Sequence, residues 1–209
     1  MGELSLNIST GSQVSRLTPR LVLGDYQSRP FFDGKFLNTY THIPAGRALD
    51  VLVDLLSELA RSQHTDLPDP WAYIAQEALG VKETDLRVDL NFFANPFGDQ
   101  GAITGIRQDN LTVGHVFRAA FNSMTERYHE CALRIWPEAA WQKLVFSGGL
   151  ICKVEALRQV VQKRFHTDYR LAPFAEDTLT GLMIMARAFS GKAASIEEAT
   201  NDLRRHSPA

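Results

Sequence analysis

Between Leu144 and Val161 the apolar pattern changes its period, and a pair of glycines sits at the change. Leu144-Val145-Phe146 is a short unbroken apolar run, the pattern of a buried strand. Ser147-Gly148-Gly149 follows, and then Val154, Leu157, Val160 and Val161 recur at helical spacing. A strand that feeds a helix through two glycines leaves bare backbone beside a helix N-terminus, where the first N–H groups have no intrahelical partner. A flat or anionic ligand group fits such a place, because no Cβ blocks the approach. Turn geometry alone produces the same pattern, so a second stretch has to decide.

That second stretch lies near the start of the chain. Residues 4–9, LSLNIS, alternate apolar and polar and read as a strand. Thr10-Gly11-Ser12 reads as a tight turn, from which Gln13 to Thr18 return as the second strand of a hairpin. A Ser/Thr/Gly turn offers hydroxyls and exposed N–H groups, which is what a phosphate needs. An ordinary hairpin turn has the same composition.

The rest of the chain alternates in the same way. Leu21-Val22-Leu23 is expected as a strand, and Asp33-Gly34 marks a hairpin between Phe31-Phe32 and Lys35-Phe36-Leu37. Leu49, Leu52, Val53 and Leu56 follow a period of about 3.6 and predict a helix over 45–62 that starts beside Gly46. Asp69-Pro70 opens another helix, with proline where a helix tolerates it. Residues 86–94 alternate as a strand, and a loop rich in Gly and Asn follows. Asn110 or Thr112 caps the longest helix, whose apolar stripe runs from Val113 to Ile135 and stops before Pro137. A strand near Tyr169-Arg170-Leu171 precedes a helix that starts at Ala175-Glu176-Asp177, runs over Thr178 to Ala188 and holds Gly181, and a polar helix over 196–205 closes the chain. Gly181 predicts close packing on another backbone, or a ligand lying over it. An opening group of strands followed by alternating strands and helices predicts an α/β domain with a mixed sheet, with ligands at the strand ends.

With 209 residues, 44% of them hydrophobic, the chain suits one full domain, or at most two small ones. Its 22 basic and 24 acidic residues give a net charge of −2, so no basic face argues for nucleic acid or an anionic membrane. No apolar run reaches the ~18–20 residues that span a bilayer. Cys131 and Cys152 are too few for a disulfide framework, and a reducing cytoplasm is the expected setting. His115 and His129 stand 14 residues apart, which is not a metal-pair spacing, and no metal ligands are assigned.

Taken in order, these pieces resemble the C-terminal half of an FGGY-family carbohydrate kinase of the sedoheptulokinase-like branch, a family within the actin-like, ribonuclease-H-like ATPases. LNISTGSQVS is similar to the family's second phosphate loop, with Ser9 in the usual Gly place, Thr10 keeping the Thr and Gly11 in the Ser place. IPAGRALDVLVDLL resembles the helix start beside the nucleotide, and FFANPFGDQGAITGI the loop after the next strand, without its usual Glu-Arg. HVFRAAFNSM resembles the helix that normally reads Arg-Ala-x-x-Glu-Gly; Arg118 is kept, while Asn122 and Ser123 replace Glu and Gly. FSGGLICK resembles the adenosine motif, and EDTLTGLMIMA the closing helix with its Gly181.

The resemblance implies a ribonuclease H-like (actin-like ATPase) domain over residues 1–192, a mixed sheet flanked by helices, with a short helix and tail over 193–209. It implies ATP or ADP as ligand with Mg²⁺, and transfer of the γ-phosphate to a sugar hydroxyl. Thr10 and Gly11 would face the β/γ-phosphates, Gly148 and Gly149 the adenosine, and Gly46 and Lys153 the border of that pocket. The catalytic Asp and most of the sugar site would lie in an N-terminal domain, so no catalytic residue is assigned to this chain, and the surface that meets that domain would self-associate without it. A degenerate module that binds nucleotide or a protein without catalysis, and a structural domain with no ligand, remain the alternatives.

Overall fold

A computed structural model describes residues 2–174 and 177–206. Alternation produces strand β1 (Glu3–Ile8), which buries Leu4, Leu6 and Ile8 on one face. The chain turns through Ser9-Thr10-Gly11 into β2 (Ser12–Thr18), antiparallel to β1 with Val14 opposite Leu6. β3 (Gln27–Pro30) and β4 (Phe36–Ile43) form the expected second hairpin. Asp33 and Gly34 take φ values of 56° and 69°, the two positive angles of a type I′ turn.

One expected strand is absent. Leu21, Val22 and Leu23 lie outside any strand and are 53%, 45% and 78% exposed. The polar segment Gln27–Pro30 takes the sheet edge instead. An edge strand needs backbone pairing on one side only, whereas an apolar triplet needs a facing layer to be buried against.

Two helices come next, α1 (Gly46–Ser62) and α2 (Pro70–Gly80), the second capped by Asp69, which accepts from the Ala72 N–H at 3.0 Å. β5 (Arg87–Asp89) and β6 (Ala102–Thr104) pair as a small separate ladder against the next helix. The strand expected over 86–94 is thus cut to three residues, and β6 arises inside the expected loop. Side chains take over backbone groups beyond the pairing: Asp89 Oδ1 accepts from the Asn91 N–H at 3.3 Å, and Asn95 accepts from the Phe97 N–H and donates to the Phe93 carbonyl, both at 2.8 Å. Such local side-chain bonds compete with the ladder for the same backbone groups.

Helix α3 (Val113–Ile135) is capped by Thr112, while Asn110 ties the preceding loop to Arg107 and Gly105. Its stripe, including Phe117, Phe121, Met124 and Tyr128, is buried across β2 and β4. β7 (Lys143–Ser147) then enters the sheet, followed by α4 (Gly149–Lys153), α5 (Glu155–Phe165) and β8 (Tyr169–Leu171). What the sequence reads as one helix after Gly149 is two, because Val154 leaves the helical region at φ −99° and ψ 99°. The Arg158 guanidinium caps the break, donating to the Ile151 and Cys152 carbonyls at 2.9 and 2.7 Å.

The sheet order is β3-β4-β2-β1-β7-β8, antiparallel as far as β1 and parallel from β1 to β8, so the sheet is mixed as expected. β1 is central and pairs with β2 and β7. Helices α6 (Asp177–Phe189) and α7 (Ile196–His206) pack on each other and are tied to the β3–β4 turn by a Phe32–Phe189 ring contact and a Lys35–Glu197 ion pair at 3.7 Å. Ala175 and Glu176, where the sequence starts the first of these helices, lie outside the described residues. α6 leaves Leu179, Leu182 and Met183 at least half exposed. A Cβ on Gly181 would meet no atom within 4 Å, so the close backbone packing expected there is absent. Among the described residues no helix is long and apolar enough to cross a membrane.

Candidate nucleotide site

The central strands β1 and β7 run parallel, with Asn7 opposite Ser147, so their following turns emerge side by side. The Asn7 amide donates to the Ser147 hydroxyl at 2.8 Å across the pair. Beyond Ser147 the chain must bend over the end of β1. Gly148 does this with φ 93°, and a Cβ there would lie 2.6 Å from the Ile8 carbonyl oxygen. Both facts exclude a side chain: the left-handed region disfavours one, and the space is already filled. Gly149 differs, since its Cβ would meet only the Ser9 hydroxyl, at 3.9 Å.

Helix α1 starts directly on the β1–β2 turn. The Gly46 N–H donates to the Ser9 carbonyl at 3.0 Å and the Arg47 N–H to the Thr10 carbonyl at 2.9 Å. The Ala48 and Leu49 N–H groups both bond the Ala45 carbonyl. All four first-turn donors of α1 therefore have partners, and this helix end offers no N–H to an anion. The close approach that Gly46 permits is to the protein's own turn: a Cβ there would lie 2.7 Å from the Ser9 carbonyl oxygen. The helix opening at Gly149 is five residues long, which makes its dipole small.

Thr10, Gly46, Gly149 and Lys153 share the wall of one cavity of about 560 Å³. Its opposite wall comes from α2 through Trp71, Ala72 and Ala75, with Asp69 at the helix cap. Volume and apolar lining match the ordinary small-molecule site, about 300–1,000 Å³ with a few polar groups. Gly148 lies beneath the wall against Ile8, and Gly11 stands exposed at the turn, apart from the lining residues. Sequence reasoning missed Asp50, Asp69 and Trp71. Asp50 was within reach, because it follows Gly46 by one helical turn and so shares its face. Burial first, and Asp54 second, hold the Asp50 carboxyl above its ordinary range.

His115 and His129 are both engaged within the protein. His115 Nδ1 pairs with the Thr84 hydroxyl at 2.9 Å, and the His129 ring packs against Trp141 and Phe165. Among the described residues no group of three or more His, Cys, Asp or Glu side chains converges to hold a metal.

Strand order, central hairpin and helix placement give the ribonuclease-H-like fold of the actin-like ATPases, in the form seen in carbohydrate kinases of the FGGY type. Gluconate kinase from Lactobacillus acidophilus matches with a TM-score of 0.72 at 14% identity, over 96% of this chain and 41% of that one. Plasmodium falciparum glycerol kinase, solved with ADP, matches with a TM-score of 0.69 at 17% identity, over 100% and 42%. Xylulose kinase from Rhodospirillum rubrum matches at 0.60 and 20% identity, over 83% and 35%. In sequence the chain is similar to sedoheptulokinase of Mus musculus, 26% identical over 144 residues, 65% of this chain and 30% of that protein. The chain thus spans under a third of that curated relative. No family model matches it.

Proposed function

We propose that this chain is the nucleotide-binding half of an ATP-dependent carbohydrate kinase, working with a second domain that supplies the base and most of the sugar site. The observation that carries this reading is the shared cavity: four of the six residues picked from three separate motifs line it together. The likeness to sedoheptulokinase favours a ketose as acceptor, and the ADP named for the glycerol kinase structure favours an adenine nucleotide.

In this reading Thr10 offers its hydroxyl to the terminal phosphates, and Gly149 leaves the backbone bare for the nucleoside. Lys153 adds a positive charge at the rim. Phosphoryl transfer rests on positioning and charge neutralisation rather than covalent chemistry. Mg²⁺, which usually rides on the substrate's phosphates with one or two carboxylates, would neutralise charge there, and Asp50 and Asp69, from opposite walls, are the carboxylates that line this cavity. Turnover by the chain alone is not expected. The exposed Leu179, Leu182 and Met183 support the need for a covering partner, the second domain or another copy of the chain.

Calorimetric titration of the chain with ADP and ATP, with and without Mg²⁺, tests the reading. Saturable binding that weakens by roughly tenfold, about 1.4 kcal/mol, in Thr10→Val and Gly149→Val variants is the expected result. Binding indifferent to both substitutions would move the nucleotide out of this cavity, and none at millimolar nucleotide would move the structural-domain reading ahead.

A further inference from the structure

On the side of α3 away from the β1–β2 turn, the helix faces the end of α5 and the connection between α2 and β5 across a second cavity, of about 470 Å³. Arg118, Asn122 and Thr125 stand on one face of α3 at helical spacing and look onto it together. Lys82 comes from the connection, and Lys163 from the last turn of α5.

Arg118 is the unusual member. It is 9% exposed, and its one direct partner given by the geometry is the Lys82 carbonyl, to which Nη2 donates at 3.3 Å. Among the described residues no carboxylate lies within ion-pair distance of it. The carboxylates at the cavity are engaged elsewhere or exposed. Glu126 receives the Arg164 guanidinium at 2.8 and 3.0 Å, Asp85 receives Arg107 at 2.7 Å, and Glu83 is exposed. His166 adds an exposed ring at the edge. Burial alone lowers the Arg118 pKa, with no opposing carboxylate contribution. A second group lacks a partner as well: the Thr125 hydroxyl is buried on the same wall, in a residue 1% exposed. A buried guanidinium without a counter-ion is costly unless an anion completes it. Its planar fork matches two oxygens of one oxyanion.

We propose that this cavity binds a phosphate-type oxyanion, with Arg118 as its buried anchor and Lys82 and Lys163 as flanking charges. The site lies on different elements from the nucleotide cavity and does not rest on the kinase reading. Its volume exceeds what a bare phosphate fills, so either inorganic phosphate or a small phosphomonoester is admitted.

The test is a titration of the ¹⁵N-labelled chain with inorganic phosphate and, separately, glycerol 2-phosphate, following backbone amides of 82–85 and 118–126. Saturable shifts at those amides are expected with at least one probe, and the tighter probe identifies the source. Asn122→Glu puts a carboxylate one turn from Arg118, supplies its missing partner and repels the ligand. It should weaken binding at least about tenfold, about 1.4 kcal/mol, in a chain that stays folded. Arg118→Met should do the same, and Lys153→Ala, in the other cavity, should leave the shifts at 82–85 and 118–126 unchanged. Shifts that map to Thr10 and Gly149 alone, binding indifferent to Asn122→Glu, or no saturation with either probe at tens of millimolar would each overturn the proposal.

Discussion

Gly148 and Gly181 each stand beside or within an apolar stretch, and in the sequence both read as places where something must come close. The structure separates them. At Gly148 the backbone is left-handed and the Ile8 carbonyl fills the position of a Cβ, whereas at Gly181 that position is open. One glycine is demanded by the bend of the chain over the end of β1, and the other by nothing in the described packing. A glycine in a sequence records that a side chain is missing, but its neighbours alone say why.

The sharpest test of this contrast is Gly148→Ala. Forcing a left-handed alanine against Ile8 should cost about 2–4 kcal/mol. The midpoint of a thermal melt should then fall by roughly 5–15 °C for a chain of this size. A midpoint within two degrees or so of the parent would mean that the junction yields and the contrast is false. Gly181→Ala should act in the opposite sense, gaining up to about 1 kcal/mol of helix propensity and raising the melt by roughly 2–4 °C. If it instead weakens ADP binding, a ligand lies over α6 and the open space has a use.

The smallest effect belongs to the far end of β1, where Glu3 meets Arg170 across β7 at 2.9 and 2.8 Å. The hydrogen bond from Arg170 is the main reason that the Glu3 carboxyl is held below its ordinary range. Its folded pKa lies under its unfolded one, so its contribution is complete above the unfolded value and is lost as pH falls through the folded value. The Glu3 side chain is 46% exposed, so solvent screens the pair and the contribution stays under about 1 kcal/mol. Urea midpoints of Glu3→Gln and the parent should converge as pH is lowered from 7 to 3. Equal differences at both pH values would remove the pair from the account.

The contrast also shows what the sequence carried. β1, β2, α2, α3 and β7 were legible because their apolar periods match the faces they bury. α3 is the clearest case, since its stripe from Phe117 to Ile135 is covered along its length. α1 has an equally regular stripe, yet Leu56 and Leu59 on it are 48% and 74% exposed. Periodicity states that a face is apolar, and tertiary context decides whether anything covers it. β3 was illegible because an edge strand of polar residues has no pattern to distinguish it from a loop. At the candidate nucleotide cavity the glycine motifs were visible, but Trp71 and Asp69 were not, because α2 meets the turn only through the packing of helices far apart in sequence. Arg118 stood out in the sequence, and its lack of a counter-ion needed coordinates.

The two hydrogen bonds from Gly46 and Arg47 to the Ser9 and Thr10 carbonyls have a mechanical meaning. They clamp the β1–β2 turn to the foot of α1, so the two move as one body. A helix of 17 residues is about 25 Å long. A tilt that shifts the turn by a fraction of an ångström is therefore magnified along the shaft, as in a pointer pivoted at one end. Its free end carries Leu55 and Leu59, exposed to solvent. A fluorophore at position 59, more than a nanometre from the turn, would report any such tilt without touching the turn itself.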